Sequence, residues 1–86
     1  MAYRLVVRPR AARQLGHLPV QEQARLAQAI EALAATPRPR GVEKLRGAYL
    51  WRIRVGEYRV VYAIDDTAQT VTVARVGHRR DVYRGL

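Results

Sequence analysis

The sequence predicts an α+β domain of order β-α-α-β-β-β, with a helical hairpin packed on a small, mostly antiparallel sheet. Three observations carry this expectation. Apolar residues recur at helical spacing between Ala11 and Ala34, and strict alternation takes over from Tyr49 onward. Two of the alternating runs are joined by just Gly56-Glu57, a two-residue link with glycine first, as a type II′ hairpin turn requires.

The elements follow in order. Tyr3 to Val7 reads as a first strand closed by Arg8-Pro9. Ala11, Ala12, Leu15 and Leu18 then mark a short amphipathic helix ending near Gly16-His17-Leu18. Pro19 suits the first turn of a second helix, where its missing N–H costs nothing. Leu26, Ala27, Ile30, Leu33 and Ala34 give that helix one apolar face, and Thr36-Pro37 stops it because a residue before proline is pushed out of the helical region. Arg38 to Gly41 is a loop, and Gly47 marks a further turn. Tyr49, Trp51, Ile53 and Val55 form one alternating set, and Tyr58, Val60, Tyr62 and Ile64 the next. Asp65-Asp66-Thr67 makes a second turn before a last strand from Thr70 to Val76.

Composition bounds the function. The 86 residues fit one domain, 1–86, and 49% of them are hydrophobic, which excludes a disordered chain despite a formal charge of +9. The absence of cysteine excludes disulfides and thiolate zinc sites, and the absence of serine excludes a serine nucleophile. No apolar run reaches the ~20 residues of a membrane span, and no secretory leader is evident, so a cytoplasmic domain without membrane contact is expected. The positive excess points to a polyanion or an acidic protein as partner. Of the 16 basic residues only Lys44 is a lysine; the rest are arginines, whose planar fork binds phosphate and stacks on bases.

The hairpin locates part of that charge. A two-residue turn pairs Val55 with Tyr58, sets Arg54 opposite Arg59, and projects Arg52 from the same face. Like charges directly across a sheet are destabilising, so a fold gains nothing from this trio, whereas a phosphate-bearing ligand converts the cost into attraction. After the last strand come His78-Arg79-Arg80-Asp81-Val82-Tyr83. His78 changes charge near neutral pH, and Tyr83 supplies a phenol for proton donation or base stacking. His17, at the turn between helices, reads as structural. His78-Arg79-Arg80-Asp81 faintly echoes a kinase catalytic loop, but no glycine-rich loop accompanies it. Asp65-Asp66 reads as turn chemistry rather than a metal site.

These residues resemble the RelE toxins of the RelE/ParE superfamily of prokaryotic toxin–antitoxin systems. The resemblance is carried by Lys44-Leu45-Arg46-Gly47, by Trp51 through Tyr62, by Val76-Gly77-His78-Arg79 and by Val82-Tyr83. It implies a metal-independent endoribonuclease without cofactor that enters the ribosomal A site and cleaves mRNA. In that chemistry the RNA 2′-hydroxyl attacks the adjacent phosphate, releasing a 5′-hydroxyl and leaving a 2′,3′-cyclic phosphate. The resemblance assigns Arg52, Arg54, Arg59, Arg79 and Tyr83 to the active site, with His78 nominated as acid or base. Where relatives carry lysines, Arg52 and Arg54 cannot act as a base, because arginine does not lose its proton. Glu43 and Glu57 are the weaker candidates for that role. The chain runs three residues past Tyr83, so the longer C-terminal helix of some relatives is not expected. The implied partners are mRNA in the A site, ribosomal RNA and an acidic, RelB-like antitoxin. The alternative is a ParE-like toxin that poisons DNA gyrase without RNA chemistry.

Overall fold

The computed structural model describes residues 2–47 and 49–84. Its elements are β1 (Arg4–Val7), α1 (Pro9–Gly16), α2 (Val20–Ala32), β2 (Glu43–Lys44), β3 (Trp51–Val55), β4 (Tyr58–Asp65) and β5 (Thr70–His78). They form one five-stranded sheet of order β1-β5-β4-β3-β2. The first strand runs parallel to β5, and every other pair is antiparallel. The expected α+β architecture is therefore present, with one strand more than expected. The two-residue β2 has no alternation to betray it; it exists because Glu43 and Lys44 pair with Arg52 and Trp51.

The helix boundaries differ from expectation at two points, each for a local reason. Pro19 is the cap of α2 rather than a residue of its first turn. The helix ends at Ala32, before Thr36-Pro37, and Leu33, Ala34 and Ala35 continue through tighter three-residue turns.

One face of the sheet carries the core. Ala11 from α1 and Leu26, Ile30 and Leu33 from α2 pack onto Ile53, Val55, Val60, Tyr62, Val71, Val73 and Val76. Simple alternation cannot send Val71, Val73 and Val76 to one side. A β-bulge resolves this: Val61 pairs with Arg75 and Tyr62 with Val73, leaving Ala74 as the extra residue. Beyond the end of β1, the exposed edge of β5 is stitched to α1, where the Gln14 Oε1 accepts the Val76 N–H at 2.9 Å.

Tyr62 is fully buried, and its hydroxyl donates to the Pro37 carbonyl at 2.7 Å. This bond fastens the loop after α2 to the centre of the sheet, and burial pushes the phenol pKa up to about 12. Tyr62→Phe keeps the ring but leaves that carbonyl without its donor. A loss of about 1 kcal/mol is expected, read as a lowered urea midpoint with unchanged m-value.

Candidate functional site

The opposite face of the sheet is built by the hairpin. Gly56 sits at φ +61°, a conformation that glycine adopts without strain and that opens a type II′ turn. The resulting register pairs Val55 with Tyr58, Arg54 with Arg59 and Arg52 with Val61. With Ile53 and Val55 in the core, alternation sends all three arginines to the other side.

The chain after β5 completes this face. The backbone N–H groups of Asp81 and Val82 both donate to the His78 carbonyl, at 2.9 and 3.0 Å, which turns the segment back over the sheet. Val82 is buried against Gly77, where an added Cβ would stand 3.5 Å from the valine Cβ. Val61 and Val82 are thus buried outside the helix-side core, in a small apolar contact zone of the open face. That anchor delivers Tyr83, whose hydroxyl accepts from Arg52 Nη1 at 2.7 Å. The Arg52 guanidinium carbon also lies 5.6 Å from the centre of the Tyr83 ring.

Two carboxylates rim the cluster. Arg52 Nη2 donates to Glu43 Oε2 at 2.7 Å, and Glu43 Oε1 lies 3.8 Å from Arg54 Nη2. Arg79 donates its backbone N–H to the Glu57 carbonyl at 2.9 Å, and its Nε lies 3.1 Å from the Glu57 carboxylate. Arg59 is the most buried of the group at 9% exposure; its Nη1 donates to the carbonyls of Gly56 and Tyr58, bracing the turn. Arg54 is the most open, its side chain 64% exposed. Four guanidinium groups against two carboxylates leave the cluster cationic.

The sequence-nominated residues therefore divide. Arg52, Arg54, Arg59 and Tyr83 gather on one face, and Arg79 is tied to the turn at its end. His78 pairs with Tyr58 across the strands, and their rings meet edge to face with centroids 6.0 Å apart. Tyr58 packs on the core, so alternation places His78 toward the helix side of the sheet. Its Nδ1 accepts the Arg80 N–H at 3.3 Å. His17, read as structural, holds the Arg13 carbonyl through Nδ1 at 2.6 Å. Asp65 accepts the Ala68 N–H at 2.9 Å, which is turn chemistry, while Asp66 clamps Tyr3 and Arg38. Among the described residues, no group of three or more His, Cys, Asp or Glu could hold a metal ion.

Sequence reasoning missed one member of this face and could not place another. The bulge turns Arg75 onto it, opposite Val61, where Arg75 Nη1 donates to the Arg84 carbonyl. The available signal was that three core valines at positions 71, 73 and 76 demand one extra residue. Glu43 was weighed as a base, but its place beside Arg52 depends on β2. A further feature lies at the outer edge of β3: a groove of about 510 Å³ lined by Ala29, Ala32, Leu33, Ile53 and Val55, with Arg40 and Arg54 among its lining residues.

Chemically, the guanidinium groups can clamp and neutralise a phosphate but cannot accept a proton. The side chains of this region that can exchange a proton are Tyr83, Glu43, Glu57 and His78. The hydrogen bond from Arg52, then its charge, holds the Glu43 carboxyl below its ordinary pKa of 4.5. A depressed carboxylate contributes stability that is present above its unfolded pKa and lost as pH falls through the folded value. Arg52→Gln should therefore move the Glu43 midpoint up toward 4.5 in an NMR carboxyl titration, and flatten stability below that pH.

Comparison with known proteins adds the family. A sequence profile for the ParE toxin of type II toxin–antitoxin systems, parDE, matches residues 5–83. Toxin RelG of Mycobacterium tuberculosis is 55% identical over 31 residues, a match spanning 36% of this chain and 36% of that protein. Among solved structures, the RelBE2 toxin–antitoxin complex of M. tuberculosis matches with a TM-score of 0.82 and 33% identity, covering 92% of this chain and 100% of the matched one. The archaeal RelE–RelB complex of Pyrococcus horikoshii also gives 0.82, at 27% identity over 95% of this chain and all of that one (100%). The isolated E. coli RelE toxin gives 0.77 at 29% identity, over 90% of this chain and 84% of its own.

Proposed function

The chain belongs to the ParE toxin family of type II toxin–antitoxin systems, within the RelE/ParE superfamily, and on that premise we propose that it is a ribosome-dependent mRNA endoribonuclease acting in the cytoplasm. The observation that carries this reading is the convergence of Arg52, Arg54, Arg59 and Tyr83 on one sheet face, with Arg79 at its end. A toxin that only needed a binding surface would have no use for unfavourable cross-strand arginines beside a tethered phenol.

In this proposal the scissile phosphate sits over the arginines, exchanging with Glu43 and Glu57 as their anionic partner. The guanidinium groups neutralise charge that builds on the phosphate as the 2′-oxygen attacks. The 5′-oxygen leaves with a proton, and the products are a 5′-hydroxyl and a 2′,3′-cyclic phosphate. Tyr83 is placed to orient Arg52 or to donate that proton, and no metal ion is invoked. His78 is retained as an acid–base candidate acting around the end of β5. The partner that silences the toxin is an acidic, RelB-like antitoxin, whose apolar side chains suit the groove between α2 and β3. RelE toxins are found with RelB partners in the M. tuberculosis and P. horikoshii complexes.

A second reading has one observation in its favour, the ParE profile itself: inhibition of DNA gyrase without RNA cleavage. Adding the purified protein to a translating system with a defined mRNA and mapping 5′ ends separates the two. Cuts confined to the A-site codon are expected; intact mRNA with stalled gyrase–DNA complexes would falsify the nuclease reading. Arg59→Ala and Arg79→Ala should each lower the cleavage rate by about 100-fold or more while the circular-dichroism spectrum persists. His78→Ala should lower the cleavage rate and alter its pH profile. An unchanged profile assigns proton transfer to Tyr83 and the carboxylates instead.

A further inference from the structure

The segment that carries Tyr83 has little regular structure of its own. Among the described residues it is a turn, closed at its start by the Asp81 and Val82 amides on the His78 carbonyl. At its end the Arg84 N–H donates to the Asp81 carbonyl at 3.1 Å. Buried Val82 anchors the chain on one side of Tyr83. On the other side Arg75 reaches up from β5 and donates Nη1 to the Arg84 carbonyl. Both neighbours of the tyrosine are therefore tied to the sheet, one by packing and one by a charged donor.

The register explains the reach. Arg52 pairs with Val61 and Val61 with Arg75, so the three side chains form one row across β3, β4 and β5 on the open face. Neighbouring strands lie about 4.8 Å apart, which sets the two arginines about 10 Å from each other across Val61. Arg52 bonds the Tyr83 hydroxyl, and Arg75 bonds the carbonyl of the next residue. The tail thus lies over the row with a guanidinium group at each end. Arg75 holds its place against local electrostatics. It is half-buried, and burial first, then the charge of Arg10, lowers its pKa. A cation in such surroundings needs hydrogen-bond acceptors to offset its lost hydration, and the Arg84 carbonyl is one.

We propose that Arg75 is the positioning residue for Tyr83, holding the Arg84 carbonyl so that the phenol stays on Arg52 at the scissile phosphate. The assignment deepens the nuclease reading, on which it rests for what Tyr83 does there. A backbone carbonyl makes a dependable handle, because the chain carries it whatever side chain stands at position 84. A charged donor bonds it about twice as strongly as a neutral one. With both neighbours tied down, the backbone at Tyr83 loses the freedom that would let the ring swing off Arg52. A displacement of about 1 Å at a reacting group can cost about 100-fold in rate. Arg75 acts through the tyrosine and not on the phosphate.

The test compares the intact protein with three variants. Arg75→Met keeps an unbranched chain without donors, Arg75→Lys keeps one charged donor, and Arg10→Gln removes the neighbouring charge while leaving Arg75 in place. In the free protein, NMR reads nuclear Overhauser contacts between the Tyr83 ring and the Arg52 side chain, and hydrogen exchange at the Asp81 and Val82 amides. Arg75→Met should abolish those contacts and speed that exchange about tenfold or more, while the Val60 amide in central β4 changes less than about threefold. Arg75→Lys and Arg10→Gln should keep the contacts. On ribosomes programmed with a defined mRNA, Arg75→Met should lower the maximal cleavage rate about tenfold or more and change the half-saturating concentration less than about twofold. In a Tyr83→Phe background the same substitution should cost less than about threefold, because the hydroxyl it positions is already gone.

Tyr83–Arg52 contacts that survive Arg75→Met overturn the proposal. So does an equal loss in Arg10→Gln, which would reduce the effect to net charge, or in Arg75→Lys, which would deny the role of the charged donor. Val60 exchange accelerated as much as that of Asp81 would make Arg75 a general structural residue. A raised half-saturating concentration at an unchanged maximal rate would make it an RNA contact, and losses that add to those of Tyr83→Phe would detach it from the tyrosine. The NMR measurements need no cleavage. A protein that never cuts mRNA therefore refutes the nuclease reading, while the hold of Arg75 on Tyr83 is still decided by the contacts.

Discussion

The two-residue Gly56–Glu57 turn is the constraint on which the rest of the molecule depends. Side chains on a strand alternate strictly, so adding one residue there would exchange the two faces of one strand relative to its neighbour. In the actual register Ile53, Val55 and Val60 reach the helices together, and Arg52, Arg54 and Arg59 reach the other side together. Core and arginine face are therefore two readings of one register. The burial of core residues, about 1.5–3 kcal/mol for each large aliphatic side chain, outweighs the few tenths to 1 kcal/mol of cross-strand repulsion. A cationic cluster whose cross-strand repulsion costs stability can persist because it shares its register with the core that holds it.

The bulge after Val61 performs the complementary task on the other flank. It lets Val71, Val73 and Val76 serve one core although their spacing is irregular, and in doing so turns Arg75 and Gly77 outward. Val82 packs over Gly77, and Val82 brings Tyr83 to Arg52. Position of the phenol thus traces back to one unpaired residue, Ala74. Arg59, meanwhile, links the two ends of this arrangement by bracing the turn that created the face.

Much of this was legible because it rests on periodicity. The helical hairpin, the Gly56–Glu57 turn and the Arg54–Arg59 pairing all follow from spacing that a single chain displays. What escaped depends on distant partners. Strand β2 is defined by pairing with β3 and leaves no pattern in two residues, so Glu43 could not be placed beside Arg52. The parallel match of β1 with β5 joins segments at opposite ends of the chain. His78 was legible as a titrating residue near the arginines, but its side of the sheet follows from its pairing with Tyr58 and the packing of that ring.

Lys44 pairs across β2 with Trp51, and its ammonium nitrogen lies 5.7 Å from the centre of the indole ring. Adjacent Glu43 points to the arginines, so alternation turns Lys44 to the other side of the sheet. It is the only side-chain amine in the sequence. Amine-directed chemistry on lysine, whether an attached fluorophore, an immobilising linker or an acyl group, consequently has one side-chain address in this protein. That address is beside an indole whose emission reports on it, and it leaves every guanidinium group of the opposite face unmodified.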